Sequence, residues 1–195
     1  PPDLLIQPFV YRGFFIAPKI EAATKTISNV YYQDDNETSD VIVETTPSIE
    51  IIKPFRDHRL TVNMSARDQR YVDQESENKT TYRASAKLDL QATKSLKIPL
   101  EIRTSRNFVS RATPTNSRFT EEPIDYTTTT ASGGVDYQFN RLNVKLIGEY
   151  ERKSFDDGIS DSTGLPVIFS NKDSTSIGGT LLGTYSILSK QHRAP

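Results

Sequence analysis

The sequence predicts an all-β fold, an antiparallel up-and-down meander of about eight strands. Three observations predict it. Apolar and polar residues alternate with period two over runs of about ten residues. Short connections alternate with long ones. Tyr and Phe gather near the ends of the runs, whereas Leu and Ile fill their middles.

The first run, 14–24, sets Ile16, Pro18, Ile20 and Ala22 against Lys19 and Glu21. The second, 41–53, sets Val41, Val43, Thr45, Pro47, Ile49 and Ile51 against Glu44, Thr46, Ser48 and Glu50. In the third, 60–67, Leu60, Val62, Met64 and Ala66 oppose Thr61, Asn63, Ser65 and Arg67. The fourth, 82–91, places Tyr82, Ala84, Ala86, Leu88 and Leu90 opposite Arg83, Ser85, Lys87, Asp89 and Gln91. The fifth, 96–103, has Leu96, Ile98, Leu100 and Ile102 against Lys97, Glu101 and Arg103. The sixth, 126–139, is Thr-rich and ends in Val135, Tyr137 and Phe139 against Asp136 and Gln138. The seventh, 142–151, opposes Leu142, Val144, Leu146, Gly148 and Tyr150 to Asn143, Lys145, Glu149 and Glu151. The eighth, 175–190, carries Leu181, Gly183, Tyr185 and Ile187 on one face. A helix would scatter these faces.

Connections after the second, fourth and sixth runs are short. Those after the first, third, fifth and seventh are long and polar. A meander with short turns at one end and long loops at the other has two distinct ends, as outer-membrane barrels do. In such a barrel the apolar face meets lipid and the polar face lines the interior. The aromatic residues Phe14, Phe15, Tyr71, Tyr82, Tyr126, Tyr137, Phe139, Tyr150 and Phe155 then read as interfacial girdles. The expected lumen-facing residues are Lys19, Glu21, Glu44, Glu50, Arg67, Arg83, Lys87, Asp89, Lys97, Glu101, Arg103, Lys145, Glu149 and Glu151. They would brace the wall as cross-strand pairs or, alternatively, steer solutes through it. Residues 1–12 read as a periplasmic lead-in, 13–190 as the barrel and 191–195 as a tail or truncated end.

Composition narrows the classes. The 195 residues include 24 basic and 25 acidic side chains, for a net charge of −1, and only 35% are hydrophobic. No basic excess is available to displace counterions from nucleic acid. The absence of Cys excludes disulfides, iron–sulfur clusters and Cys-ligated zinc. No run approaches the roughly 18–20 apolar residues of a membrane helix, and a lean apolar fraction suits a wall with one greasy face. There is no phosphate-cradling loop, nucleophile elbow or metalloprotease motif, so neither an enzyme nor a cofactor is expected. The carboxylate pairs Asp34-Asp35, Glu121-Glu122 and Asp156-Asp157 fall in the long loops and read as solvated tips, or alternatively as hard oxygen ligands for a cation. His58, in a short turn, reads as a periplasmic-turn residue.

Several short motifs resemble one family. Gly13-Phe14-Phe15-Ile16-Ala17-Pro18, Ser28-Asn29-Val30-Tyr31, and Ser39-Asp40-Val41-Ile42 leading to Pro47-Ser48-Ile49 resemble the opening of the β-barrel porin type 2 family. Glu122-Pro123 before Tyr126, the turn Asn140-Arg141-Leu142, and Phe155-Asp156-Asp157 continue the pattern. The resemblance spans about residues 12–157 and implies a Gram-negative outer-membrane barrel, often encoded with exopolysaccharide biosynthesis functions. The family carries no established catalytic residues. Its barrels are normally longer than eight strands, and residues 189–195 lack a terminal aromatic, so the chain reads as the N-terminal part of a larger barrel. A narrow eight-stranded barrel is the alternative.

The implied partners are outer-membrane lipid and lipopolysaccharide, with polysaccharide or small solutes as cargo and envelope proteins or further copies as neighbours. A porin-like or export-associated channel is the leading expectation; a non-conducting structural barrel and a soluble sandwich or lipocalin-like binder are the others. Pro18, Pro47 and Pro99 sit inside expected strands, where proline cannot donate to the ladder.

Overall fold

The computed structural model describes residues 7–33, 35–109 and 120–186. One antiparallel sheet of nine strands dominates, its strands ordered as in the sequence. They are β1 Phe9–Tyr11, β2 Phe14–Ile27, β3 Asp40–Phe55, β4 His58–Tyr71, β5 Lys79–Thr93, β6 Leu96–Phe108, β7 Asp125–Phe139, β8 Leu142–Phe155 and, after a small hairpin, β11 Ser174–Tyr185. The hairpin, β9 Gly158–Ile159 with β10 Pro166–Val167, lies within the connection from β8 to β11. The sheet is open, with β1 and β11 as its outer strands.

The expected eight runs are all present as strands, most of them longer than the alternation alone indicates. One strand was not expected: Phe9–Tyr11, within the supposed lead-in, pairs with Phe14–Ile16. The final strand ends at Tyr185, and residues 187–190 and the 191–195 tail lie outside the described residues.

The two ends differ as expected. Two-residue turns at 12–13, 56–57, 94–95 and 140–141 join one end; connections 28–39, 72–78, 109–124 and 156–173 join the other. Arg12, Arg56 and Asn140 take φ of 48°, 54° and 43°, and Gly13 takes 75°. Positive φ at both central residues of the first turn matches the right-handed twist of a hairpin, which is why a glycine stands there.

Cross-strand partners point to the same side of a sheet, so the register assigns the faces. One row reads Lys19–Ser48–Ser65–Arg83–Ser105–Thr128–Lys153 from β2 to β8; the next row on the opposite side includes Ile20, Pro47, Tyr82 and Thr127. The polar and apolar faces persist through β11, where Ser176 opposes Glu151 and Ile177 opposes Tyr150.

Register also accounts for the prolines. Each strand residue directs its N–H and C=O to one neighbour. The β3–β4 pairing is interrupted between Thr45–Asp68 and Ser48–Ser65, where Pro47 falls. The β6–β7 pairing is interrupted between Lys97–Asp136 and Leu100–Gly133, where Pro99 falls. Pro18 stands just beyond Ile16, at which β1 pairing stops. Each proline therefore spends its missing donor at a gap in the ladder or on an open edge.

Gly134 lies opposite the Pro99 gap. A Cβ there would sit 2.3 Å from the Leu146 carbonyl oxygen and 3.1 Å from the Ile147 Cα, both backbone atoms that cannot swing aside. Gly134→Val is expected to destabilise the sheet by about 1–3 kcal/mol through overpacking, measured as a lowered urea midpoint in detergent. Gly148→Ala, whose added carbon meets nothing closer than 3.9 Å, should change it little.

The apolar face forms a band. It covers His58 to Ala66 on β4, Tyr82 to Leu90 on β5, Ala131 to Phe139 on β7, Leu142 to Tyr150 on β8 and Ile177 to Tyr185 on β11. Nine residues at a rise of about 3.3 Å, tilted by roughly 45°, span about 21 Å of depth, the scale of a barrel's lipid-facing band. Beyond it, toward the long loops, the same face turns polar: Asp68 and Arg70, Thr80, Thr104 and Arg106, Arg152 and Ser154.

Candidate functional site

The polar face is the concave one. A groove of about 680 Å³ is lined by Lys19 of β2, Ser48 and Glu50 of β3, Asn63 and Ser65 of β4, and Arg83 and Ser85 of β5. A second, of about 380 Å³, takes in Lys87 and Asp89, Lys97 and Glu101, Ser132 and Asp136, and Lys145. The larger groove is bordered by four adjacent strands together with Gln7 and Pro8, and we read the sheet as curled toward that side.

Among the described residues the apolar face is left uncovered, where a soluble protein would bury it. On that face Ile102 and Leu146, both on interior strands, are 54% and 55% exposed; the side chains of Lys87 and Arg103 on the polar face are open to a similar degree, at 48% and 54%, while Glu44 is buried at 8%.

All the charged residues expected in the lumen fall on this concave face. A recurring pairing joins residues two apart on one strand, which point the same way. Lys19 Nζ lies 2.5 Å from Glu21 Oε1, Lys87 Nζ 3.1 Å from Asp89 Oδ2, and Arg103 Nη2 2.5 Å from Glu101 Oε1. Glu44 gathers partners across strands. It accepts from Lys25 Nζ at 2.9 Å and Gln69 Nε2 at 2.8 Å, with Arg67 Nε 3.5 Å away. Glu50 and Arg83 line the larger groove, and Lys97 and Lys145 stand opposite Asp136 from either side. Glu149 and Glu151 face Ser132 and Thr130.

The same face holds Lys25, Gln69, Lys79 and Lys153, which the alternation did not single out. Lys79 Nζ stacks 3.9 Å from the Phe108 ring centroid and Lys153 Nζ 4.1 Å from that of Tyr126.

At the loop end the connections fold toward this face. Val30, Ile42 and Tyr71 form a buried cluster, with Ile27 and Tyr31 packed against it. Ile42 and Tyr71 are cross-strand partners on the concave side, so Val30 packs against that side at the loop end. Asp40 ties a second connection to the first: its carboxylate accepts the N–H groups of Val72, Asp73 and Gln74 at 2.9–3.3 Å. Tyr31 Oη donates to Gln74 Oε1 at 2.8 Å.

The loop carboxylates hold loops. Asp156 accepts from Arg106 at 3.1 Å, and Asp157 accepts the N–H groups of Phe169 and Ser170 at 2.7 and 2.9 Å. Asp34 lies outside the described residues. Among the described residues no group of three or more His, Cys, Asp or Glu is placed to hold a metal ion. His58 packs on Phe55, with ring centroids 5.3 Å apart, and its Nδ1 accepts the Gln91 N–H at 3.1 Å. Read from the sequence as a turn residue, His58 is instead the first residue of β4, and it clasps β4 to β5.

The loop before β11 is pH-sensitive in a defined direction. The Ser170 and Phe169 N–H groups hold Asp157 below its ordinary value, and the Phe155 N–H and Ser154 hydroxyl do the same for Asp173. A depressed folded value means the stabilisation is complete above the unfolded value of 3.8 and is lost as pH falls through the lower one. Exchange protection of the Phe169 and Ser170 amides should hold from neutral pH down to about 4 and fade below it. Loss of protection already at pH 6 would contradict these roles.

No curated protein and no solved structure matches the chain. The model of the family described as Putative beta-barrel porin 2 matches residues 11–190, the whole span from the β1–β2 turn through β11. With its antiparallel meander, its apolar band and its concave charged face, the chain belongs to the β-barrel porin 2 family.

Proposed function

We propose that the sheet is the wall of an outer-membrane channel, its apolar band in lipid and its concave charged face lining a hydrated passage for small polar solutes. The observation that carries this reading is the uncovered apolar face: Ile102 and Leu146, on interior strands, stand out from the convex side, while the charged side chains expected in the lumen share the concave one. In water that arrangement leaves a broad apolar surface uncovered; in lipid it is the stable one. Unpaired strand edges cannot face hydrocarbon, so in this reading the outer edges of the sheet are paired in the membrane. The protein acts without chemistry on its cargo, and a part in exopolysaccharide export is the finer role its family resemblance supports.

Planar bilayers test the channel. Purified protein inserted from detergent should give ion current that scales with salt concentration. Well-folded, inserted protein that passes no current would remove the channel reading. That outcome would leave a second one, a non-conducting envelope barrel, which the cluster of Val30, Ile42 and Tyr71 at the mouth specifically favours. Monodisperse protein in plain buffer would contradict both.

A further inference from the structure

Arg83 departs from the pairing rule of this wall. On this face Lys19, Lys87 and Arg103 are each neutralised by a carboxylate two residues away on their own strand. The corresponding neighbours of Arg83 are Thr81 and Ser85. Its cross-strand partners are Ser65 on β4 and Ser105 on β6. The diagonal positions on the same face are Asn63, Arg67, Arg103 and Asn107, so no carboxylate occurs at any of the eight surrounding places. None among the described residues pairs with Arg83.

Arg67, Arg83 and Arg103 thus form a diagonal track on three consecutive strands. Its outer members engage Glu44 and Glu101; its middle member faces open space. Arg83 borders both the 680 Å³ groove and a smaller hollow of about 160 Å³ that includes Ser65, Arg67, Thr81 and Asn107.

We propose that this patch is a binding subsite for a hydroxylated carboxylate, a uronate-type sugar, with Arg83 clamping the carboxylate. A guanidinium offers a planar fork matched to two carboxylate oxygens. Ser65, Ser85, Ser105 and Thr81 each supply a hydroxyl that both donates and accepts, the match for a sugar's ring hydroxyls. The inference rests on the channel reading only in requiring a hydrated concave face; it does not require current to flow.

Titration calorimetry of the full chain in detergent micelles, with glucuronate as probe, tests it. Glucuronate should bind, and glucose at the same concentrations should not. Arg83→Gln should weaken glucuronate binding at least about tenfold. Ser85→Asp should do the same by giving Arg83 the internal partner that Asp89 gives Lys87, and it leaves the arginine in place. Removal of another concave cation, Lys145→Gln, should leave binding unchanged. Binding that survives both Arg83→Gln and Ser85→Asp, equal heats from glucose, or no heat with glucuronate would each overturn the proposal. A protein that passes no current yet binds in this pattern would sink the channel while leaving the subsite standing.

Discussion

Leu146→Arg is expected to lower the stability of the membrane-inserted protein by about 2–4 kcal/mol, the cost of an arginine at the lipid face near mid-depth. Leu146 lies at the centre of the apolar stretch Leu142 to Tyr150 on β8, with Val135 and Leu181 as its partners on β7 and β11. It is 55% exposed. In a soluble protein an arginine on so open a position would be nearly neutral, within about 0.5 kcal/mol, so the size of the loss decides the solvent. Ser132→Arg is the matched control. Ser132 is on the concave face between Glu101 and Glu149, where a new guanidinium finds carboxylates from both neighbouring strands. Urea titrations of folding into lipid vesicles should therefore show a large loss for the convex substitution and little change for the concave one. Equal effects, or the reverse order, would mean that the faces are assigned the wrong way round.

The faces are legible in sequence because period two leaves no freedom: once Leu100 points one way, Glu101 and Pro99 point the other. That is why every charged residue expected in the lumen shares one side. What alternation hides is where a strand stops being a membrane strand. Lys25, Gln69, Lys79 and Lys153 escape notice because their apolar-face neighbours, Thr24, Arg70, Thr80 and Arg152, are polar too. The contrast that marks a strand vanishes once both faces meet water, although the ladder continues to Ile27, Tyr71 and Phe155. β1 is hidden for another reason, since three residues are too few to display a period. The prolines become intelligible only with the register, which shows gaps at Pro47 and Pro99 that their positions in sequence leave unexplained. The same limit applies to Arg83: its residue type is plain, but its isolation depends on Ser65 and Ser105 arriving from other strands.

Long-range packing at the mouth is the least legible part, and it carries the second large expected effect. Val30 is a lone apolar residue in a polar connection, yet it is 3% exposed against Ile42 and Tyr71. The Val30 N–H donates to the Thr38 carbonyl at 2.8 Å, closing the connection on itself, and Asn29 bonds the backbone of Gln33 in both directions. Burial of a valine side chain contributes about 1.5–3 kcal/mol, and few other apolar contacts hold this connection down. Val30→Asp removes that contribution and would place a carboxylate in the apolar cluster, so the connection should lift away rather than bury the charge. The strands bear their own ladders and need not unfold with it. Single-channel conductance should then rise several-fold, while the β-sheet circular dichroism signal and the urea midpoint of the barrel stay close to those of the parent. Val30→Ile, which keeps the contact, should conduct as the parent does. Unchanged conductance with an intact sheet would show that 28–39 lies clear of the ion path, and the cluster would then serve only to fasten the end of β3 to that of β4.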